Sequence, residues 1–291
     1  MDRAARNLLA LAAIVLTPAA YGLCAFIAFG VVPLLGGRSD AGVGLVAVGC
    51  LGALLALSTG RGVRALWRAA AATRELARRI DAAAIPSPPS LILAARETGL
   101  AGRVTLIDAP DPCSFVYGAS APRVAISSGL LARLSPAELR AALEHERYHV
   151  RHLDPLRSAL AAAAVEAVFF LPSLRALHDR YEAARELAAD RDSIDACGPR
   201  PLAGALMKAI DGTGTERPAA IPLAAPGLIE SRLDQLETGR EPRLARTSRR
   251  NLCLSALGAG AFLVLLVASP LAVADLGPQA LLEGLVWCPS F

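Results

Sequence analysis

The sequence predicts a mainly α-helical membrane protein with one cytoplasmic α+β domain, in which a small antiparallel sheet accompanies a helix bearing His-Glu-x-x-His. Three observations carry this reading. Long uncharged runs lie towards both ends of the chain. Three short alternating segments follow one another between residues 103 and 127. A capped helix after them holds His145-Glu146-Arg147-Tyr148-His149. Composition agrees. Of 291 residues 54% are hydrophobic and 19% charged, whereas about a quarter are charged in an ordinary soluble domain. That excludes a disordered chain and argues against a plain cytosolic globule. A net charge of +4, with no aromatic-interleaved basic patch, leaves no nucleic-acid partner. The six cysteines are scattered singly, so neither a disulfide framework nor a cysteine zinc site is expected.

The membrane elements come first in the chain. Leu8 to Leu35 and Ala41 to Ser58 are nearly free of charge, and Leu252 to Val273 has none. About 20 apolar residues suffice to cross the hydrocarbon core as a helix. Gly36 to Asp40 would join the first two runs into a hairpin. A cleaved signal peptide is the other reading of the first run, but the run is long and a second follows at once. Arginines set the orientation: Arg3 and Arg6 before the first span, Arg61, Arg64 and Arg68 after the second, and Arg240 to Arg250 before the last. The expected organisation is a transmembrane hairpin over 1–60 and a cytoplasmic domain over 61–250. A C-terminal transmembrane helix over 251–274 and a short exported tail over 275–291 complete it. The chain is thus expected to be a multi-pass cell-membrane protein with the lipid bilayer as a partner.

Within the domain, Gly60 to Ala84 reads as a basic amphipathic helix leaving the membrane, ended by Pro86-Ser87-Pro88-Pro89. Arg103 to Asp108, Cys113 to Tyr117 and Arg123 to Ser127 read as strands separated by turn residues. Ser135-Pro136-Ala137-Glu138 then gives a helix start with a capping box, and the helix stops before Asp154-Pro155. Ser158 to Leu174 is apolar apart from Glu166. It is expected to lie on or dip into the membrane without crossing, because Pro172 ends it, Arg157 and Arg175 bracket it, and a mid-membrane carboxylate is costly.

Four residues turn a helix by about 400°, so His145 and His149 share one face, about 6 Å apart along the axis. Two imidazoles there can converge on Zn²⁺. Glu146, offset by about 100°, reaches a water beside the zinc rather than the zinc itself. Zinc lowers the pKa of water towards about 7. Glu146 would take the proton as water attacks a peptide carbonyl, then return one to the leaving amine. With 4 histidines in the chain, chance gives about 0.002 such motifs, so a pair of unrelated surface histidines is a poor account. A catalytic zinc needs a third protein ligand. Glu186, in Arg185-Glu186-Leu187-Ala188-Ala189-Asp190, is the candidate, with Glu182 in reserve. Asp190, one turn on, could hold a ligand histidine by its other N–H. His178 is expected to be a surface residue.

At these residues the chain resembles gluzincin membrane metallopeptidases, in which H-E-x-x-H is followed by E-x-x-x-D. It is most similar to the BlaR/MecR-like antirepressor family and more distantly to the HtpX/CAAX-prenyl-protease family. The resemblance rests on Tyr117-Gly118, Pro122-Arg123, Ser135, Glu138-Leu139, His145-Glu146-x-x-His149, Asp154-Pro155, Phe169-Phe170-Leu171-Pro172 and Arg185-Glu186-x-x-x-Asp190. It implies a zincin-like zinc endopeptidase acting on a protein or peptide, with His145, His149 and Glu186 on zinc, Glu146 catalytic and Asp190 behind a histidine. Such an enzyme would cut a repressor or signalling protein, or serve membrane protein quality control. A zinc-binding scaffold without turnover, partnering a separate sensor, is the alternative. The BlaR/MecR-like proteins carry a penicillin-binding domain after the last span, and here only about 17 residues follow. For the oxyanion, Tyr181, Tyr148 and Arg232 all remain open.

Overall fold

The computed structural model describes residues 42–210, 228–240, 242 and 247–274. The first expected span, its linker and the tail 275–291 lie outside these residues. The second expected span begins the helix α1, Gly42–Ala82, which continues unbroken through the basic amphipathic stretch as 41 residues. After it come β1 (Ala84–Ile85), α2 (Pro89–Glu97), β2 (Val104–Ile107), β3 (Ser114–Tyr117) and β4 (Arg123–Ser127). The helices α3 (Ser128–Leu131), α4 (Pro136–Arg151), α5 (Asp154–Ala167), α6 (Ser173–Cys197), α7 (Pro199–Ile210), α8 (Leu228–Thr238) and α9 (Arg249–Ala274) follow. Among the described residues one helix segment, Arg249–Val267, is long and apolar enough to cross a membrane. The described residues form two units. The first takes in Ala65–Ala162 and the described part of His178–Arg246. The second takes in the described residues up to Arg64, then Ala163–Leu177 and those from Thr247 on.

In the first unit the sheet has the order β1-β2-β4-β3. The expected antiparallel sheet is in fact mixed: β3 pairs antiparallel with β4, but β4 pairs parallel with β2, Val104 opposite Val124 and Ile107 opposite Ser127. The reason is spatial order. β4 inserts between β2 and β3, and as a central strand it is apolar on both faces. Val124 and Ile126 pack with Leu91, Leu106, Leu139 and Leu143 on one side. Ala125 packs with Ile80, Ile107, Phe115 and Tyr117 on the other. That leaves β3 at the sheet edge.

Helix α4 begins as its sequence dictates. Ser135 Oγ accepts from the Glu138 N–H, and Glu138 Oε2 accepts from the Ser135 N–H at 2.7 Å, closing the capping box. Leu139, Leu143 and Val150 form its core stripe. It ends at Arg151, two residues before Leu153, whose φ of 53° puts a bulky side chain in the left-handed region. That turn starts α5 at Asp154 and brings Asp154 back beside His149. Because Leu153 is over a third exposed and an L-residue there costs roughly 1 kcal/mol, Leu153→Asn should raise thermal stability. Leu153→Val should lower it. Melting of both variants in detergent checks this, and equal melting temperatures would refute the strain.

In the second unit the stretch Ala163–Leu177 is not one continuous helix: α5 ends at Ala167 and α6 starts at Ser173. Here Arg61 Nη2 donates to Glu166 Oε2 at 2.6 Å and Nε donates to the Glu166 carbonyl at 3.1 Å. The Arg61 guanidinium also lies 4.9 Å from the centroid of the Phe169 ring. Phe170 stacks on Phe262 at 5.7 Å, and the Ser173 N–H donates to Ser255 Oγ at 2.8 Å. Gly258 has to be glycine, since a Cβ would sit 2.1 Å from the Phe170 carbonyl oxygen. The one carboxylate of the apolar run is therefore paired rather than bare.

Candidate metal centre and active site

Two helices build the site. The four-residue spacing on α4 stacks His145 and His149, whose Nε2 atoms lie 3.2 Å apart. From α6, Glu186 Oε2 lies 3.5 Å from His145 Nε2, and Oε1 lies 3.6 Å from His149 Nε2. All three residues are buried, and their donor atoms fall within 4.8 Å of one another. Donors held tetrahedrally at 2.0–2.1 Å from one ion would be roughly 3.3 Å apart, so this set of two imidazoles and a carboxylate fits a metal ion.

Behind these three side chains lie further charged groups. Asp190 Oδ1 lies 2.9 Å from His145 Nδ1, a contact of opposite charge whose N–H is poorly aligned for a hydrogen bond. His149 Nδ1 lies 2.6 Å from Asp154 Oδ2. Arg232 of α8 grips Asp190 with Nε and Nη2, both at 2.7 Å, and its Nη1 is 3.7 Å from Glu186 Oε2. Arg185 lies between Asp154 at 3.4 Å, Glu182 at 2.8 Å and Glu186 at 3.4 Å. Every buried carboxylate of this cluster thus faces a cation, the condition under which buried charge is tolerated.

Burial works against a charged His145, yet Asp190 and Glu186 overcome it and push its pKa up to about 9. Burial would raise Glu186, but His149, His145 and Arg185 hold it well below the usual carboxylate range. Burial likewise opposes ionisation of Asp190, and Arg232 with His145 lowers it. These neighbours thus favour the charged forms of Glu186 and Asp190.

Glu146 is buried next to His145 and accepts a hydrogen bond from Ser114 Oγ at 2.6 Å. It borders a cleft of about 320 Å³, walled on one side by β3 and on another by Leu202, Leu206 and Ile210 of α7. Of the three residues left open for the oxyanion, Arg232 lines this cleft. Tyr181 instead packs on Ala161 and Ala184, its buried hydroxyl without a hydrogen-bond partner among the described residues. Tyr148 packs on Ala188 and Ala189. Glu182 is held by Ser158 and Arg185, each at 2.8 Å, away from the ligand triangle. His178 sits beside Asp179 and Glu182, outside the triangle. Sequence reasoning missed Asp154, which it read as a helix stop, and it missed Ser114 and the clamping roles of Arg185 and Arg232. For Asp154 the signal was its place five residues after His149, but only the turn at Leu153 makes that spacing meaningful.

Residues 93–236 match the family model described as BlaR1 peptidase M56. The chain is 34% identical over 74 residues to a protease HtpX homolog of Thermodesulfovibrio yellowstonii, covering 25% of this chain and 26% of that protein. It is 29% identical over 136 residues to a protease HtpX homolog of Burkholderia mallei, covering 45% of this chain and 48% of that protein. The chain thus spans between about a quarter and a half of the length of these curated relatives. No solved structure matches. Both histidines, Glu146, Glu186, Asp190 and Arg232 lie inside the matched stretch, and the two comparisons together support a metallopeptidase of the BlaR1 and HtpX type.

Proposed function

We propose that the chain is an integral-membrane zinc endopeptidase that hydrolyses a protein substrate at the cytoplasmic face of the membrane. The observation that carries this is the His145, His149 and Glu186 triangle with Glu146 beside it in an open cleft. Bound there, zinc supplies Lewis acidity, making water a nucleophile near neutral pH and polarising a carbonyl. The rest falls to the chain. The edge strand β3 lines the cleft and would offer backbone groups to an extended peptide. Glu146 takes the proton of the attacking water and delivers one to the departing amine, so the C–N bond breaks without releasing a free amide anion. Asp154, hydrogen-bonded to His149 Nδ1, and Asp190, beside His145 Nδ1, would hold the two imidazoles with Nε2 available to a metal. Arg232 adds positive charge to the cleft wall. The purified full chain should degrade casein with zinc and stop when a chelator removes it. Cleavage insensitive to metal removal would refute the reading.

The topology is part of the proposal. A crossing between His149 and Glu186 would separate them by about 30 Å of bilayer, so the segment 158–174 should enter and leave the same leaflet. Its pairing of Glu166 with Arg61 supports a membrane-associated position. Single cysteines replacing Arg151 and Asp179 in a cysteine-free background should both resist an impermeant reagent applied to intact cells. The native Cys288 kept alone should label. Labelling at position 179 would overturn both the topology and Glu186 as third ligand.

A further inference from the structure

We propose that Ser114 is a positioning residue for the general base, fixing the carboxylate plane of Glu146; this rests on the reading of Glu146 as that base. Helix α4 fixes the backbone of Glu146, but the terminal torsion of a glutamate is broad and nearly two-fold. Something else must set which oxygen meets the water. The Ser114 hydroxyl reaches it from β3, 32 residues earlier, at 2.6 Å from Oε1, and among the described residues no other hydrogen bond reaches that carboxylate. A serine hydroxyl has one proton to donate. Spent on Oε1, it leaves Oε2 without a donor and ready to accept the proton of water.

The hydroxyl itself is held on a rigid element. Ser114 is paired in register with Ile126 of β4. Its neighbour Cys113 is tied at both backbone ends to Ser127: the Cys113 N–H donates to Ser127 Oγ at 3.0 Å, and the Ser127 N–H donates to the Cys113 carbonyl at 3.0 Å. The base is thereby registered to the same strand that lies at the sheet edge among the described residues and borders the cleft. A peptide laid along β3 and the carboxylate that serves it share one reference frame, the condition for a precise attack geometry.

The test compares the zinc-loaded full chain in detergent with Ser114→Val and Ser114→Thr, using fluorescein-labelled casein. Valine and threonine have nearly the same shape, and both suit a strand, but only threonine keeps the donor. Expected is a kcat roughly 10- to 100-fold lower for Ser114→Val with KM unchanged, and recovery of most of that loss in Ser114→Thr. Zinc content and melting temperature should match the parent in both. Casein binding to Glu146→Gln should be the same with and without Ser114→Val, because a positioning residue does not hold substrate. An undiminished kcat in Ser114→Val overturns the proposal, as does a raised KM with weakened casein binding or a loss of zinc. If Glu146→Gln is inert while Ser114→Val is fully active, the positioning role alone falls. If Glu146→Gln still cleaves casein, the base assignment falls and this proposal with it.

Discussion

Glu146→Gln is expected to lower peptide hydrolysis by roughly 10²- to 10⁴-fold, the usual contribution of a general base, while leaving zinc content unchanged. The amide has the shape of the carboxylate, so the buried volume beside α4 stays filled. Its carbonyl oxygen can still accept from Ser114 Oγ, which lies 2.6 Å from Oε1 in the parent. What the amide cannot do is take a proton. Glu146 stands outside the ligand triangle of His145, His149 and Glu186, so the metal should stay. Cleavage of casein, with metal analysis of the same preparation, separates the two effects. An undiminished rate in a zinc-replete variant would refute the base assignment. Zinc lost together with activity would instead make Glu146 part of the metal-binding structure.

The parts of this site visible in the sequence are those governed by local geometry. The start of α4 is written in Ser135, Pro136 and Glu138, because a capping box acts within one turn. His145 with His149, and Glu186 with Asp190, are readable because four residues on a helix place two side chains on one face. The pairings that escaped depend on contacts between distant segments. Arg232 meets Asp190 across 42 residues, and Ser114 meets Glu146 across 32. Asp154 is close in sequence to His149, but its role follows from the left-handed turn at Leu153, which nothing about a leucine announces. The sheet shows the same division. All three alternating segments are strands, yet the parallel pairing of β2 with β4 is a matter of spatial order, which no strand states on its own. The two-residue β1 is too short to carry a pattern.

Glu186→Ala is expected to lose zinc far more completely than Glu182→Ala, and the charges around Glu186 say why. Its carboxylate lies 3.4 Å from an Arg185 nitrogen and 3.7 Å from an Arg232 nitrogen, and it faces both ligand histidines. Truncation therefore removes a proposed ligand and also one of the anions that offset two buried guanidinium groups. The remaining pair of imidazoles would have to bind a dication with one anion fewer beside Arg185 and Arg232, at short range and with little water to screen it. Glu182 sits differently: it is held by Ser158 and Arg185 and contributes no donor to the triangle. Its loss frees Arg185 to lean on Asp154 and Glu186 without emptying the site. Asp190→Asn and Asp154→Asn should fall between the two, costing roughly 10- to 100-fold in zinc affinity, as partners that orient a ligand histidine do. Asp190→Asn should be the more disruptive to folding, since Arg232 grips both of its oxygens at 2.7 Å in a fully buried position, and one partner of a buried ion pair is expensive to strand. Zinc titrations of the four purified variants against a competing chelator decide the order. Zinc affinity in Glu186→Ala equal to the parent's would remove Glu186 from the ligand set, whatever happened to activity.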